Sequence, residues 1–201
     1  MGDLSRQDEI QTIGEEAKRC QKCGLWKTRR NAVPGEGDSN SPVVLIGEAP
    51  GYWEDMRGRP FVGAAGKILD VILEKTNLPR ATIYITNILK CRPPGNRDPR
   101  AAEVEACAPY LDRQLEAIMP RFVVTLGRHS TDYVFSRMGL KSSGITRVRG
   151  RVFPADLWGS KVGVLPTFHP AAALYNIQLR EDLEKDFQLL KSELDCMRNP
   201  G

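Results

Sequence analysis

The chain is poor in histidine: His129 and His169 are the only two among 201 residues. A zinc centre built on imidazole pairs therefore has little to draw on. Long apolar runs are missing as well. No segment approaches the roughly 20 apolar residues of a membrane span. The opening MGDLSRQDEIQTIGEEAKR is polar and carries no signal-peptide core, so a cytoplasmic protein is expected. There is no G-x-G-x-x-G and no P-loop, which weakens any reading as a nucleotide-binding enzyme. Neither an internal repeat nor a domain-sized linker interrupts the chain. Residues 1–201 read as one domain, long enough to bury a substantial core. Neither sign of charge dominates. The 29 basic and 25 acidic residues leave a net +4, which permits a nucleic-acid partner without requiring one.

What the chain does have is concentrated in residues 42–70, PVVLIGEAPGYWEDMRGRPFVGAAGKILD. An apolar β-branched run, Val43 to Ile46, turns sharply at Gly47-Glu48-Ala49-Pro50-Gly51. A charged loop, Trp53 to Gly58, leads into Pro60-Phe61-Val62-Gly63, and a helix begins near Ala64 or Ala65. A strand feeding a Gly/Pro-built loop and then a helix places that loop where ligands bind in open α/β sheets. Two acids beside a Trp and a Phe are more than a structural connection needs.

Further strands are expected at Thr82 to Asn87, Phe122 to Leu126 and Val162 to Leu165. Helices are expected at Leu4 to Lys18, Ala65 to Glu74, Ala101 to Met119, Gly127 to Phe135 and Gln178 to Leu194. The stretch from Gly139 to Gly159 reads as irregular or hairpin-like. Short, continuous apolar strands alternating with helices imply a sheet covered on both faces. The expected fold is α/β: a three-layer α/β/α sandwich on a four-stranded, mainly parallel sheet.

The five cysteines of a cytosolic chain are better read as metal ligands or free thiols than as disulfides. Cys20 and Cys23 form a C-x2-C pair. Cys91 sits in a Pro-rich loop between Lys90 and Arg92, and Cys107 in the following helix. The wide second pair suits a 4Fe–4S cluster better than zinc, with zinc the alternative. Cys196 fits a free thiol.

GEAPGYWEDMRGRPFVGAAG, then ITNILKCRPPGNRDP with its partner Cys107, then LPTFHP, resemble the iron–sulfur uracil-DNA glycosylases of the family 4 class. The resemblance runs from Cys20 to the final helix. It implies an α/β/α fold, a 4Fe–4S cluster on Cys20, Cys23, Cys91 and Cys107, and monofunctional removal of uracil from DNA in base excision repair. It also implies a nucleoid-associated monomer acting on single- or double-stranded DNA; a sliding-clamp partner stays open. After His169 this chain departs from the family, reading HPAAALYN where members often read HPS, bulky apolar residues and an Arg. It also lacks the histidine-bearing basic insert of the offshoot that bonds covalently to the abasic product.

Uracil must leave the helix to be reached, so a base pocket is required. Phe61 is the candidate platform for the ring, although by itself it reads equally as a core residue. Asn87 offers a donor and an acceptor matching the O4/N3 edge of uracil, where a turn-forming Asn is the plain alternative. His169 is placed to donate to O2 as charge develops there. Glu48 is the candidate for holding the attacking water. Glu54 resembles the family position that leaves no room for a thymine methyl, and the amides of Gly47 to Ala49 are expected to touch the base. Asp55 is a lesser candidate that reads better as a loop-capping acid, and His129 reads as structural, with a phosphate-facing role the alternative. Arg92, Arg97 and Arg149, with Lys90, Arg147 and Arg151, form a candidate phosphate track. Leu174 is the expected wedge into the gap left by the base. A non-enzymatic iron–sulfur DNA binder would use the cysteines and basic loops. It would have no need of Glu48, Phe61, Asn87 and His169 together.

Overall fold

A computed structural model describes residues 5–198. The central sheet has five strands: β1 (Val43–Gly47), β2 (Tyr84–Asn87), β3 (Phe122–Leu126), β4 (Phe153–Leu157) and β5 (Ser160–Thr167). Their order is β2-β1-β3-β5-β4, and only β4, at the edge, runs antiparallel to its neighbour. The order reverses direction between β1 and β3, which opens a crevice at their carboxyl ends.

Alternate residues of each strand feed opposite layers. Val43, Leu45, Ile83, Ile85, Phe122 and Val124 pack under α3 (Ala64–Lys75) and α7 (Ile177–Arg198), against Leu69, Ile72, Leu73, Leu183, Phe187 and Leu190. On the other face Val44, Ile46, Val123 and Val164 meet Leu111, Leu115 and Ile118 of α4 (Ala101–Ile118). Val134 and Phe135 of α5 (Arg128–Arg137) join them there. The arrangement is the expected three-layer α/β/α sandwich. Helix α1 (Arg6–Arg19) begins with a Ser5–Asp8 capping box and lies along α4.

The sheet has five strands rather than four, because residues 153–167 form a hairpin. Pro154 and Asp156 hide β4 from a pattern search. Pro154 lacks an N–H, and proline is tolerated in a sheet only where no ladder bond is lost, as on an edge strand. The charged stretch after Gly51 is likewise not a loop but a short helix, α2 (Tyr52–Arg57), ended by Gly58 at φ +69°. The short helix α6 (Ile145–Val148) falls within the stretch expected to be irregular.

Candidate active site and cysteine centre

Parallel pairing of β1 and β2 sets Gly47 opposite Asn87 at the carboxyl edge of the sheet. Gly47 has to be glycine. A Cβ there would lie 2.3 Å from Asn87 Oδ1 and 2.8 Å from Phe61 Cζ. Phe61, fourteen positions later in the chain, thus comes back onto the end of β1. It does so with a left-handed backbone, φ +50°, unusual for a bulky residue. Two features hold it. Glu54 Oε1 accepts the amides of Val62 and Gly63, both at 2.8 Å. Gly66 lets the Phe61 carbonyl lie against α3, where a Cβ would sit 1.9 Å from that oxygen.

His169 follows β5 by two residues. Gly127, at φ +95° after β3, leaves room for it: a Cβ at Gly127 would be 2.9 Å from His169 Cβ. The ring centroids of His169 and Phe61 are 5.7 Å apart, tilted by 32°. His169 Nδ1 accepts the Ala171 amide at 3.1 Å, so the ring proton resides on Nε2. Burial pushes its pKa down to about 4, against a smaller upward pull from Glu54. The imidazole is therefore a neutral donor at physiological pH.

These groups line one cavity of about 320 Å³, together with Glu48, Ala49, Pro50, Gly51 and Arg97, a volume that suits a small ligand. Asn87 is 2% exposed. Its main-chain carbonyl accepts from Lys90, while its side-chain amide borders the cavity without a hydrogen bond to another described residue. An amide that opens onto a cavity and is free of protein partners can pair there with a ligand or water.

Glu48 stands at the cavity wall with its pKa raised, chiefly by burial. His129 Nε2 lies 3.6 Å from Glu48 Oε2 and 3.2 Å from Asp98 Oδ2. Arg128 Nη2 lies 3.1 Å from both Asp98 Oδ2 and His129 Nε2. Sequence reasoning set His129 aside as structural, yet the turn from β3 into α5 delivers it to Glu48. Its rarity was the one available signal. Asp55, by contrast, does what a capping acid does: its Oδ1 accepts the amides of Arg30 and Asn31 at 2.9 and 3.2 Å.

Cys20, Cys23, Cys91 and Cys107 gather with Ile13, Ala17, Leu25, Leu89 and Tyr110 and line a single void. No three of the four sulfurs lie within 4.8 Å of one another among the described residues. A tetrahedral ion with metal–sulfur bonds of about 2.3 Å would draw its sulfurs to roughly 3.8 Å. Four thiols spaced more widely than one ion requires suit a multinuclear cluster better. Arg29 donates to Cys91 Sγ at 3.1 Å and the Lys90 amide to Cys107 Sγ at 3.2 Å, the kind of contact that accompanies cluster sulfurs. Cys196 is exposed and apart.

The expected phosphate track divides. Arg92 remains at the rim, its Nε donating to Asn96 at 2.7 Å. Arg147 and Arg151 are exposed. Arg97 lines the cavity, but its guanidinium is engaged by both carboxylate oxygens of Glu103. Arg149 is turned away from solvent. It pairs with Asp186 and lies over the Phe168 ring, its side chain only 18% exposed. Lys90 is buried, with Nζ donating to Thr86 Oγ1, the Asn87 carbonyl and Gln114 Oε1 at 2.6, 2.8 and 2.7 Å. In the loop after His169, Leu174 is half-buried and Tyr175, at 98% exposure, forms the tip.

A family model described as the uracil DNA glycosylase superfamily matches residues 34–191. The chain is 52% identical to the type-4 uracil-DNA glycosylase of Saccharolobus solfataricus, over 93% of this chain and 87% of that protein. It is 50% identical to the type-4 enzyme of Archaeoglobus fulgidus, over 90% and 91% respectively. With the type-4 enzyme of Thermotoga maritima the identity is 42%, over 94% and 98%.

Proposed function

The chain belongs to the type-4 uracil-DNA glycosylases, hydrolases that remove uracil from DNA in base excision repair, and we propose that the 320 Å³ cavity is the pocket in which it does so. Uracil flipped from the DNA stacks on Phe61. The Asn87 amide pairs with the O4/N3 edge, which cytosine would mismatch. Glu54 closes the pocket against a thymine methyl, and the amides of Gly47 to Ala49 approach the base. As the glycosidic bond breaks, negative charge collects on the uracil. His169 Nε2–H donates to O2 without having to lose or gain a proton. One oriented donor in a dry site is worth ~3–4 kcal/mol at the transition state. Glu48 holds the water that attacks the cation-like sugar.

Cys20, Cys23, Cys91 and Cys107 are proposed to hold a 4Fe–4S cluster. Bound there, it supplies a cross-link between the end of α1, the loop after β2 and α4, and no reacting atom. The whole of residues 1–201 is read as one glycosylase domain, acting as a monomer on single- or double-stranded DNA through Arg92 and its neighbours. No helix among the described residues is long and apolar enough to cross a membrane.

The observation that carries the pocket is the Asn87 side-chain amide, free of protein partners among the described residues, on a cavity wall that it shares with Phe61 and His169. Single-turnover excision from a uracil oligonucleotide tests it. Asn87→Ala and His169→Ala should each lose orders of magnitude in rate while still binding DNA. Near-normal rates in both would place the pocket elsewhere.

A further inference from the structure

The rim of the cavity carries two aromatic side chains that the pocket chemistry does not use. Tyr52 and Trp53 open α2 and are 47% and 52% exposed. Their rings meet edge to face, with centroids 5.2 Å apart. Arg92 lies over the Tyr52 ring at 5.1 Å, and Arg57 over the Trp53 ring at 5.7 Å. The group is continuous with the pocket. Arg92 donates to Asn96, and Asn96 lines the cavity, as do Gly51 and Glu54 on either side of the two aromatics. Trp53 is packed along one edge: its Cδ1 lies 3.3 Å from where a Cβ on Gly63 would stand. With Arg57 over one part of the ring and Tyr52 at its edge, about half of Trp53 stays open to solvent.

We propose that Tyr52 and Trp53 form a stacking platform for unpaired bases beside the extruded uracil, and that this platform favours single-stranded DNA. The inference rests on the cavity being the uracil pocket. Bases within a duplex are covered by their neighbours, whereas bases of a single strand present free ring faces. An exposed aromatic accepts any of them, since every base has a π face. The charge at the rim suits the same occupant. Arg57 and Arg92 add cation–π attraction to the rings and stand where the strand's phosphates must pass. A neutral or basic protein partner would leave those two guanidinium groups uncompensated.

The test compares KM for one uracil oligonucleotide, single-stranded and annealed opposite guanine, in the wild type and in Tyr52→Ala/Trp53→Ala, Trp53→Phe and Trp53→Leu variants. Removing a stacked aromatic costs roughly 5- to 150-fold per base. The double variant should raise KM on the single strand at least about tenfold more than on the duplex. Trp53→Phe should recover most of the loss and Trp53→Leu should not. Equal rises on both substrates, or recovery by leucine as complete as by phenylalanine, would overturn the platform. Fluorescence anisotropy with a uracil-free single strand separates the platform from the pocket. The double variant should weaken that binding, and unchanged binding would also overturn the proposal. Failure of the pocket itself would appear differently, as excision that survives Asn87→Ala.

Discussion

The Lys90 Nζ donates to the main-chain carbonyl of Asn87 at 2.8 Å, while the Lys90 amide donates to Cys107 Sγ at 3.2 Å. One buried residue therefore touches both the strand end that carries Asn87 and the cysteine centre. Its Nζ also serves Thr86 and Gln114, and Gln114 in turn donates to the Pro34 carbonyl and to Tyr84. Lys90→Met removes Nζ and leaves three acceptors with one donor fewer. Gln114 Oε1 keeps the Thr86 hydroxyl and Thr86 keeps the Pro34 carbonyl, so the loss falls mainly on the Asn87 carbonyl, and an unmet buried acceptor costs roughly 1–3 kcal/mol. The variant should unfold at clearly lower denaturant and discriminate uracil from cytosine less well. The main-chain bond to Cys107 survives the substitution, so iron content should hold. Wild-type stability with unchanged selectivity would show that Lys90 merely fills space.

That lysine also marks where sequence reasoning stops. Lys90 sits between two strong motif positions, Asn87 and Cys91, and its flanking prolines and arginines read as surface. Nothing local announces that its Nζ folds back under β2. Arg149 is similar: its partner Asp186 lies 37 residues away on α7, a separation no spacing rule covers. The parts that were legible rest on local chemistry. Val43–Gly47 is apolar because both sheet faces are covered. Gly47, Asn87 and His169 lie at or just past strand ends, where an α/β sheet exposes side chains to a crevice. Phe153–Leu157 lies in the stretch read as irregular or hairpin-like; its burial alternates cleanly, but Pro154 argues against a strand unless the strand is known to lie at an edge. His129 was underrated because its partner Glu48 comes from another strand end.

Glu54 has two duties that a single truncation would confuse. Its carboxylate lines the pocket and also accepts the amides of Val62 and Gly63 at the start of α3. Glu54→Gln keeps an oxygen that can accept both amides and keeps the bulk near the base. It should exclude thymine and lose little stability. Glu54→Ala should admit thymine to a measurable degree and also lose roughly 1–3 kcal/mol, because two half-buried amides lose a charged acceptor. Excision assays on uracil and thymine substrates, paired with denaturation curves, separate the two duties. A stable Glu54→Ala protein inert toward thymine would remove Glu54 from specificity.

His169 predicts an unusual acid limb. Burial holds its pKa near 4, below the ordinary value of 6.5, so the neutral ring is what the fold accommodates. Stability from this group is complete above pH 6.5. It declines as the unfolded chain takes up a proton below that pH, and the loss levels off once the folded ring is protonated near pH 4. Protonation would also put a hydrogen on Nδ1, against the Ala171 amide it now accepts. His169 should therefore stay functional to about pH 5, and the His169→Ala protein should show a shallower loss of stability between pH 6.5 and 4. A ring that titrates at pH 6 or above by NMR would contradict the neutral-donor role.

Glu48 and its neighbours give a pair of predictions with opposite signs. Burial raises the Glu48 pKa, the nearby His129 pulls it down, and the nearby Asp98 pushes it up. If Glu48 must be ionised to hold the attacking water, the single-turnover rate falls as pH drops through its pKa. His129→Ala removes a group that favours the ionised form, so the acid limb should move to higher pH. Asp98→Asn removes a group that opposes ionisation, so the limb should move to lower pH. Both shifts should be read on saturating substrate, which keeps changes in DNA binding out of the profile. Shifts in the same direction, or none, would mean that the limb does not report Glu48, and the water-holding role would pass to another group. Opposite shifts would also give His129 a part in the chemistry: by lying 3.6 Å from Glu48, it would set the pH at which the carboxylate is ready.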